Sequence, residues 1–464
     1  MANDLARLQF GTTTVYHFFF VPVTIGLAFL VAILQTAWYR TDQPEYKRMT
    51  RFFGTLLLIN VAIGVVTGLV QEFQFGMNWS TYSRFVGGVF GAPLAMEGLA
   101  AFFLESTFLG LWVFGWDRLP KRVHLACIWA VSIGTLLSAM FILIANSWMQ
   151  HPVGYKMSHG HAELNNVWAL FVNPTFVWGY AHVVLASLVT GCLVMLAVSA
   201  WYLRKGAHVT SFRRTAKVAL LVLIPTIVIQ MSVGNQLGVI EAHYQPMKIA
   251  AAEAQWNNCQ PCSFSAFQIG GGANDQTPKE IIPIPHLLSV LATGTWSGAV
   301  TGLNQLQAQD RARYGPGNYV PDVFIQYWSM RVMAGLGSLV LLMSLWGGWL
   351  LHKGRLERSR LFLTLSVWAV ITPFLMNTAG WLLTESGRQP WIVQGLQKTV
   401  NASSPSVSAT QIWISLIVFV LSYIVLGAAD VVLMLRYSRR GLDEAGAETP
   451  EPEPPAGAFP ALTY

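Results

Sequence analysis

The chain has 464 residues, of which 53% are hydrophobic and only 11% are charged. Soluble globular domains carry about 25% charged residues, so this composition excludes an ordinary soluble protein and predicts an integral membrane protein. The formal net charge of +7 could suggest nucleic-acid binding, but the placement of the basic residues described below assigns the excess charge to membrane topology and predicts no nucleic-acid partner.

Nine apolar stretches are each long enough to cross a bilayer, which takes about 20 residues of helix. They are predicted near 13–37, 52–72, 93–115, 126–146, 176–201, 215–235, 326–350, 362–383 and 412–436. The predicted fold class is therefore all-α, a polytopic transmembrane domain over 1–440 with two four-helix bundles plus one peripheral helix. No signal-peptide pattern precedes the first stretch, so we expect it to remain as a span.

Basic residues concentrate in every second connection between the predicted spans. The basic segments are 40–51, 118–122, 204–217, 353–360 and 436–440. Because positive loops stay on the cytoplasmic side, the pattern predicts an outside N-terminus and a cytoplasmic C-terminus. The final segment, 441–464, combines several prolines with acidic residues and is predicted to be a disordered cytoplasmic tail.

Ionisable side chains interrupt two of the early spans. His17 lies at the outer end of the first span, and Glu97 and Glu105 lie on the third. Such groups are costly in hydrocarbon unless something compensates them, so they indicate function. Eight residues of helix place the two carboxylates about 12 Å apart on a similar face.

Histidine or carboxylate ligation with an open sixth position suits a high-spin haem that binds oxygen. The pattern therefore indicates that one carboxylate could bind iron weakly while the deeper one, Glu105, relays protons from the cytoplasm. Ser138 on the fourth span could assist the relay, the alternative being a hydrogen bond to its own helix backbone.

A histidine and a methionine on two later spans form a second candidate pair. His182 lies near the outer end of the fifth span, and Met333 lies in the outer third of the seventh. Together they could be the axial ligands of a low-spin, electron-transferring haem. The alternatives are a hydrogen-bonded helix contact for His182 and core packing for Met333. Arg331 favours the ligand interpretation, because we expect its guanidinium to be unpaired and to need an anion, and a haem propionate would serve.

The connection 236–325 is far too long for a simple link, which usually marks function. Within its helix-compatible first part, Lys248 and Glu253 stand five residues apart. A base and a cation near the membrane surface could take protons from a quinol. A solvated amphipathic helix is the alternative interpretation.

Four cysteines are present. Cys259 and Cys262 form a CxxC in the long loop, where a disulfide is favoured over zinc because no second ligand pair is close in sequence, and a free dithiol remains open. Cys127 and Cys192 lie in spans and are expected to pack as small apolar residues.

The eighth span ends in the run Gly380–Trp391, which contains Trp381, Glu385 and Arg388. This run and four other motifs resemble subunit I of the cytochrome bd quinol oxidases, through essentially all nine spans. The other motifs are Arg7–Gly11 with His17, Asn146–Gln150, Gln245-Pro246 with Lys248 and Glu253, and Arg331-Val332-Met333.

The resemblance implies three haems. His182 and Met333 would ligate the low-spin haem b558, with Arg331 beside it. The high-spin pair, haem b595 and haem d, would be held by the iron ligands His17, Glu97 and Glu385, whose division between the two haems stays open. The resemblance also implies that Trp381 conducts electrons between haems, that Arg388 contacts a cofactor, and that Lys248 and Glu253 belong to the quinol site of a Q-loop.

The implied activity is that of an electrogenic quinol:oxygen oxidoreductase in the bacterial cytoplasmic membrane that does not pump protons. Quinol would be oxidised at the outer surface, and oxygen would be reduced to water with cytoplasmic protons. The implied partners are a homologous second subunit, a single-span small subunit, menaquinol or ubiquinol, and O2. The loop resembles the shorter Q-loop variant, with Asn235 and Ala252 where the family more often has Asp and Met.

Three other interpretations remain at this stage. The first is the same fold with b-type haems only, as in the cyanide-insensitive variant. The second is a transporter that binds a coupling ion at Glu97 and Glu105. The third is a dihaem anchor for a dehydrogenase, which should lack the third site formed by His17, Glu97 and Glu385.

Overall fold

The computed structural model describes residues 1–444, and within them nine helices are long and apolar enough to cross a membrane. They are Ala2–Thr41, Pro44–Met77, Ser80–Phe114, Lys121–Gln150, Pro174–Lys205, Val209–Tyr244, Val323–His352, Arg360–Gly387 and Ala409–Arg439. The all-α prediction with nine spans is confirmed. The helices exceed the predicted stretches because polar turns at their ends continue the backbone hydrogen bonding that apolar composition does not reveal.

Two spans depart from regular α-helix. The third consists of Ser80–Met96, a π-helical segment Glu97–Phe102, and Phe103–Phe114. The eighth has a 3-10 turn, Ala369–Ile371, between Arg360–Trp368 and Thr372–Gly387. The π segment begins at Glu97 and ends before Glu105. The regular α-helical spacing that was predicted for these two carboxylates is therefore wrong. Single π turns within helices frequently occur at functional sites.

The first and fifth spans together form the centre of the packing. The first contacts the second, fourth and fifth spans, while the fifth also packs on the sixth and eighth, and the seventh packs on the sixth and eighth. A Cβ on Gly26 would lie 2.7 Å from the Gly191 Cα, so these glycines let the first and fifth helices touch. The division into two four-helix bundles plus one peripheral helix stays a prediction.

The ninth span contacts the first and second spans and exposes much of its apolar surface. A one-turn helix, Gly441–Glu444, follows it, and Leu442 is buried in the main core. Ordered structure therefore extends four residues past the predicted start of the tail at 441. The rest of that predicted tail, 445–464, lies outside the described residues.

The long connection joins the sixth and seventh spans and carries three helices, Pro246–Ala252, Leu287–Thr293 and Leu303–Tyr314. It also carries an antiparallel hairpin, Phe264–Ile269 with Lys279–Ile284, which we call the loop hairpin. Two other small antiparallel sheets pair Tyr155–Ser158 with His161–Leu164, and Trp391–Val393 with Gln397–Lys398. We call the membrane face that bears this connection the long-loop side.

Cys259 and Cys262 form a disulfide, as the CxxC spacing favoured. Cys127 and Cys192 are free and buried, as expected for small apolar side chains. A cluster of buried aromatic and aliphatic side chains fixes the first loop helix against the start of the seventh span. It includes Trp256, Leu303, Tyr319, Tyr327 and Trp391.

Candidate functional site

His17 is oriented by a threonine of the second span. Its Nδ1 lies 2.9 Å from the Thr67 Oγ1, and that hydroxyl donates to the Gly64 carbonyl at 2.9 Å. Because the hydroxyl proton is used, Thr67 accepts from His17, which places the imidazole proton on Nδ1. The Nε2 lone pair is then available, which is the state that an iron ligand requires.

Glu97, the first residue of the π segment, has one satisfied and one orphaned oxygen. Its Oε1 accepts from the Ser138 hydroxyl at 2.8 Å, whereas its Oε2 is buried without a hydrogen-bond partner among the described residues. Buried polar atoms are normally paired, so this oxygen fits a group such as iron. Glu105 packs on the fourth span, where a Cβ on Gly134 would lie 3.2 Å from the Glu105 Cβ.

His182 and Met333 each face a glycine on a neighbouring span. A Cβ on Gly234 would lie 3.1 Å from the His182 Cε1, and one on Gly380 would lie 3.4 Å from the Met333 sulfur. Gln230 brings its Nε2 to 3.2 Å from both ring nitrogens of His182, and its own Oε1 has no partner within the described part of the chain. The small residues leave room beside both side chains, which fits a flat ring.

Glu385 sits in a polar network at the end of the eighth span. Its Oε1 accepts from the Asn146 amide at 2.8 Å and the Gln150 amide at 3.3 Å, and its Oε2 pairs with Arg388. The Arg388 Nε and Nη1 are buried without partners in the described residues. Unpaired guanidinium donors in a buried position fit a carboxylate such as a haem propionate.

The expectation that Arg331 is unpaired is wrong. Its Nη2 lies 2.6 Å from the Glu253 Oε2, and its other nitrogens donate to the carbonyls of Ser265 and Ala252. The guanidinium also lies 3.7 Å from the Tyr327 ring centroid. The counter-charge of Arg331 is Glu253 of the long loop, which is 78 residues away in sequence. Arg388, whose Nε and Nη1 are unpaired in the described residues, therefore has more free donors for a propionate than Arg331 has.

Lys248 and Glu253 are both buried, but they are not paired with each other. The Lys248 ammonium lies 2.7 Å from the Glu241 Oε2 and 2.8 Å from the Gln150 Oε1. Burial lowers the pKa of Lys248, and the Glu241 carboxylate opposes that shift. Burial raises the pKa of Glu253, and the Arg331 guanidinium opposes that shift. The solvated-helix alternative is wrong, because the two side chains are nearly inaccessible.

Glu241 and Gln150 were missed as members of the site by sequence reasoning. The side chain of Gln150 bridges the loop to the eighth span: its Oε1 accepts from the Lys248 ammonium, and its Nε2 donates to Glu385. The only available signals were the position of Glu241 two helical turns before Lys248 and the presence of Gln150 in a recognised motif. Neither signal predicts the contact.

Trp381 lies on the eighth span near the candidate ligand His17. Its ring lies 5.1 Å from that of Phe18, the residue after His17, and it follows Gly380, which faces the Met333 sulfur. The Trp381 ring therefore lies close to the His17 region, and the Trp381 backbone is next to the residue that faces Met333.

A nine-span membrane protein with single imidazole, thioether and carboxylate groups half-buried beside small residues belongs to the class of membrane redox proteins. Comparison with known proteins defines it further. The family model described as "Cytochrome bd terminal oxidase subunit I" matches residues 5–442, and the chain belongs to this family. Family membership excludes the transporter and the dihaem-anchor interpretations.

The chain is similar to curated relatives along nearly its whole length. It is 45% identical to cytochrome bd ubiquinol oxidase subunit 1 of Bacillus subtilis (strain 168), with 95% of this chain and 94% of the relative covered. It is 37% identical to cytochrome bd-II ubiquinol oxidase subunit 1 of Escherichia coli (strain K12), over 96% and 98% of the two chains. A chain from the structure of bd oxidase from Geobacillus thermodenitrificans superposes with a TM-score of 0.86, at 30% identity over 95% of this chain and 99% of that one.

Proposed function

We propose that the protein oxidises quinol on the long-loop side of the membrane and passes the electrons to a buried site where O2 is reduced to water. The observation that carries the proposal is a pair of buried ion pairs, Lys248–Glu241 and Arg331–Glu253, one of which contacts Glu385 through Gln150. Buried, perturbed acid–base groups next to a candidate iron ligand suit a reaction that separates protons from electrons.

At the quinol site, Glu253 is the proton acceptor. Oxidation of a quinol to a quinone releases two protons and two electrons, and a carboxylate within reach of the hydroxyl takes a proton as the electrons leave. The Arg331 guanidinium, 2.6 Å away, favours the ionised carboxylate that can accept this proton. Lys248 supplies a second polar contact from the same loop helix, and the proposed substrate is menaquinol or ubiquinol.

The chain offers ligands for three haems. His182 and Met333 fit the low-spin haem b558, and His17, Glu97 and Glu385 fit the high-spin pair, haem b595 and haem d. When bound, these groups supply electron transfer at the first position and oxygen binding and reduction at the second. Thr67 and Ser138 hold His17 and Glu97 in the protonation and orientation that ligation needs, while Arg388 offers two buried donors to a propionate.

Protons reach the oxygen site from the basic side of the membrane, which we assign to the cytoplasm. Glu105 lies further along the third span than Glu97, toward that side, and Ser138 contacts Glu97 directly. Uptake of protons from one side and release of quinol protons on the other separates charge across the membrane without a pump. The homologous second subunit and a single-span small subunit are the proposed protein partners, and the bacterial cytoplasmic membrane is the proposed location.

The decisive experiment is a dithionite-reduced minus air-oxidised absorption spectrum of the purified complex, with and without carbon monoxide. We expect b-type bands together with a chlorin-type band further to the red that shifts on carbon monoxide binding. If only b-type bands are found, the variant with b-type haems alone is correct and the haem d proposal fails. A folded complex without any haem spectrum contradicts the oxidase proposal.

Replacement of Met333 by leucine tests the low-spin ligand pair. We expect Met333→Leu to remove the thioether ligand, change the low-spin spectrum and lower the midpoint potential, because thioether ligation favours the reduced iron. Redox titration followed at the b-type bands measures the change. Met330→Leu, three residues earlier on the same helix, is the matched control and should leave both properties unchanged. An unaltered spectrum and potential in Met333→Leu contradicts the assignment.

Replacement of Arg331 by glutamine tests Glu253 as the proton acceptor. Glu253 must be ionised to act. Burial and the nearby Glu280 charge raise its pKa, and the Arg331 guanidinium lowers it. Removing the guanidinium therefore raises this pKa again, so we expect the rising acid limb of the kcat–pH profile to move to higher pH. Steady-state quinol oxidation between pH 5 and pH 9 (about the usable range) measures it. A shift to lower pH, or none, contradicts the role.

A further inference from the structure

The loop hairpin, Phe264–Ile269 with Lys279–Ile284, has an inverted burial pattern. Its inward side chains are polar, and Ser265 and Gln268 are each only 4% exposed. Five large apolar side chains are exposed at 41–62%, namely Phe267, Ile269, Ile281, Ile282 and Ile284. The charged Lys279 and Glu280, at the start of the second strand, are exposed as well. A hairpin that faces water on one side does the opposite, with apolar residues inward and polar residues outward. The outward face of this hairpin is therefore suited to apolar surroundings.

Contacts to the seventh span fix the orientation of the hairpin. The Ser265 carbonyl accepts from the Arg331 Nε at 3.1 Å and Nη2 at 2.7 Å, and from the Tyr327 hydroxyl at 3.0 Å. Phe267 pairs with Ile282 across the hairpin. Because the Arg331 guanidinium and the Tyr327 hydroxyl both donate to the Ser265 carbonyl, turning the isoleucines inward would break these buried hydrogen bonds.

The depth of the hairpin follows from the length of the seventh helix. A hydrocarbon core takes about 20 residues of helix, and counting back from Leu351, just before the basic segment, places its limit on the long-loop side near Val332. Phe267 packs 5.6 Å from the ring of Trp328, one turn beyond that limit, and Trp328 contacts Phe324 at 6.4 Å. The hairpin thus lies at the interfacial level, where tryptophan gathers in membrane proteins.

The outward face is also continuous with the surface of a spanning helix. Val332, at the hydrocarbon limit and one turn from Trp328 on the same side of the helix, is 40% exposed, and Phe267 packs against Trp328. A surface that continues a membrane-spanning helix at headgroup depth meets the same surroundings as that helix. This continuity favours lipid over a protein partner as the occupant.

We propose that the outward face of the loop hairpin is immersed in the lipid interface on the long-loop side, where it anchors the long connection to the bilayer. Interfacial elements of this kind bury an apolar face about 5–10 Å into the boundary between headgroups and acyl chains. The inference concerns lipid as the binding partner and does not depend on the proposed quinol chemistry.

A nitroxide spin label at Ile282→Cys tests this in the purified, air-oxidised complex in lipid nanodiscs. The other cysteines do not compete for the label, because Cys127 and Cys192 are buried and Cys259 is bonded to Cys262. Relaxation of the label by O2, which concentrates in lipid, is compared with relaxation by a water-soluble nickel chelate. Asn274→Cys, in the exposed polar tip of the same hairpin, is the matched control, and Ile269→Cys is a second test position.

We expect labels at 282 and 269 to be relaxed strongly by O2 and weakly by the nickel chelate, and the label at 274 to show the reverse. Strong relaxation by the chelate at 282 and 269 places the face in water and overturns the proposal. Protection from both agents at these positions also overturns it, because a protein partner then covers the face. An unchanged haem spectrum in each variant establishes that the complex is folded.

Discussion

Glu97→Ala is expected to lower O2-reducing turnover by at least about 100-fold, while the low-spin haem spectrum is retained. Its Oε2 is a buried carboxylate oxygen that has no partner among the described residues, and its Oε1 is held in place by Ser138. Loss even of the residues that support a metal ligand typically costs about 10–100-fold, so loss of a ligand itself should cost more. Oxygen consumption and haem content of the purified variant complex are the measurements.

Ser138→Ala provides the graded comparison. It removes one hydrogen bond to the Oε1 and leaves the carboxylate in place, so we expect a loss of about 10-fold or less. A Glu97→Ala complex with full turnover and a full high-spin spectrum excludes Glu97 as a ligand. Equal losses in both variants indicate instead that Glu97 acts only through its contact with the fourth span.

Glu253→Gln is expected to lower quinol oxidation by about 100-fold or more, the usual contribution of a general base. Glutamine keeps the shape of the side chain but cannot accept a proton, and it leaves the Arg331 guanidinium without its carboxylate. Glu253 is not one of the proposed haem ligands, so the haem spectra should be retained. Turnover with quinol is compared with turnover supported by an artificial one-electron donor, which bypasses the quinol site.

The matched control for this variant is Glu280→Gln. Glu280 lies on the exposed strand of the loop hairpin and influences Glu253 only through its charge, so we expect less than about a two-fold effect. If Glu253→Gln lowers turnover equally with both donors, the carboxylate supports the structure of the oxygen site, and its role as the quinol base is wrong.

The π segment shows where local periodicity stops being informative. The regular helix predicted through Glu97 and Glu105 placed them on a similar face, but the extra residue per turn at Glu97–Phe102 changes their relation. The apolar composition of this span does not distinguish π from α geometry, because both geometries satisfy the backbone N–H and C=O groups by hydrogen bonds within the helix. Glu97 was recognisable as a candidate functional residue from its cost in hydrocarbon, whereas its hydrogen bond with Ser138 depended on how the third and fourth helices pack.

The loop hairpin shows the same limit for burial. Isoleucines in a long extramembrane connection favour a buried core when judged by composition, yet the structure exposes them and buries Ser265 and Gln268. Arg331 decides this orientation, since its donors must find acceptors and the Ser265 carbonyl is one of them.

The sequence by itself determined the nine spans, the all-α class and the family, together with the residues that carry ionisable or metal-binding groups. It could do so because a helix in lipid satisfies its own backbone hydrogen bonds, so each span is readable without its neighbours. Only the tertiary structure decided which charges pair. Lys248 meets Gln150 from 98 residues away, and Arg331 meets Glu253 from 78 residues away. A buried charge takes the partner that packing brings within about 3 Å, and sequence separation carries no information about that distance.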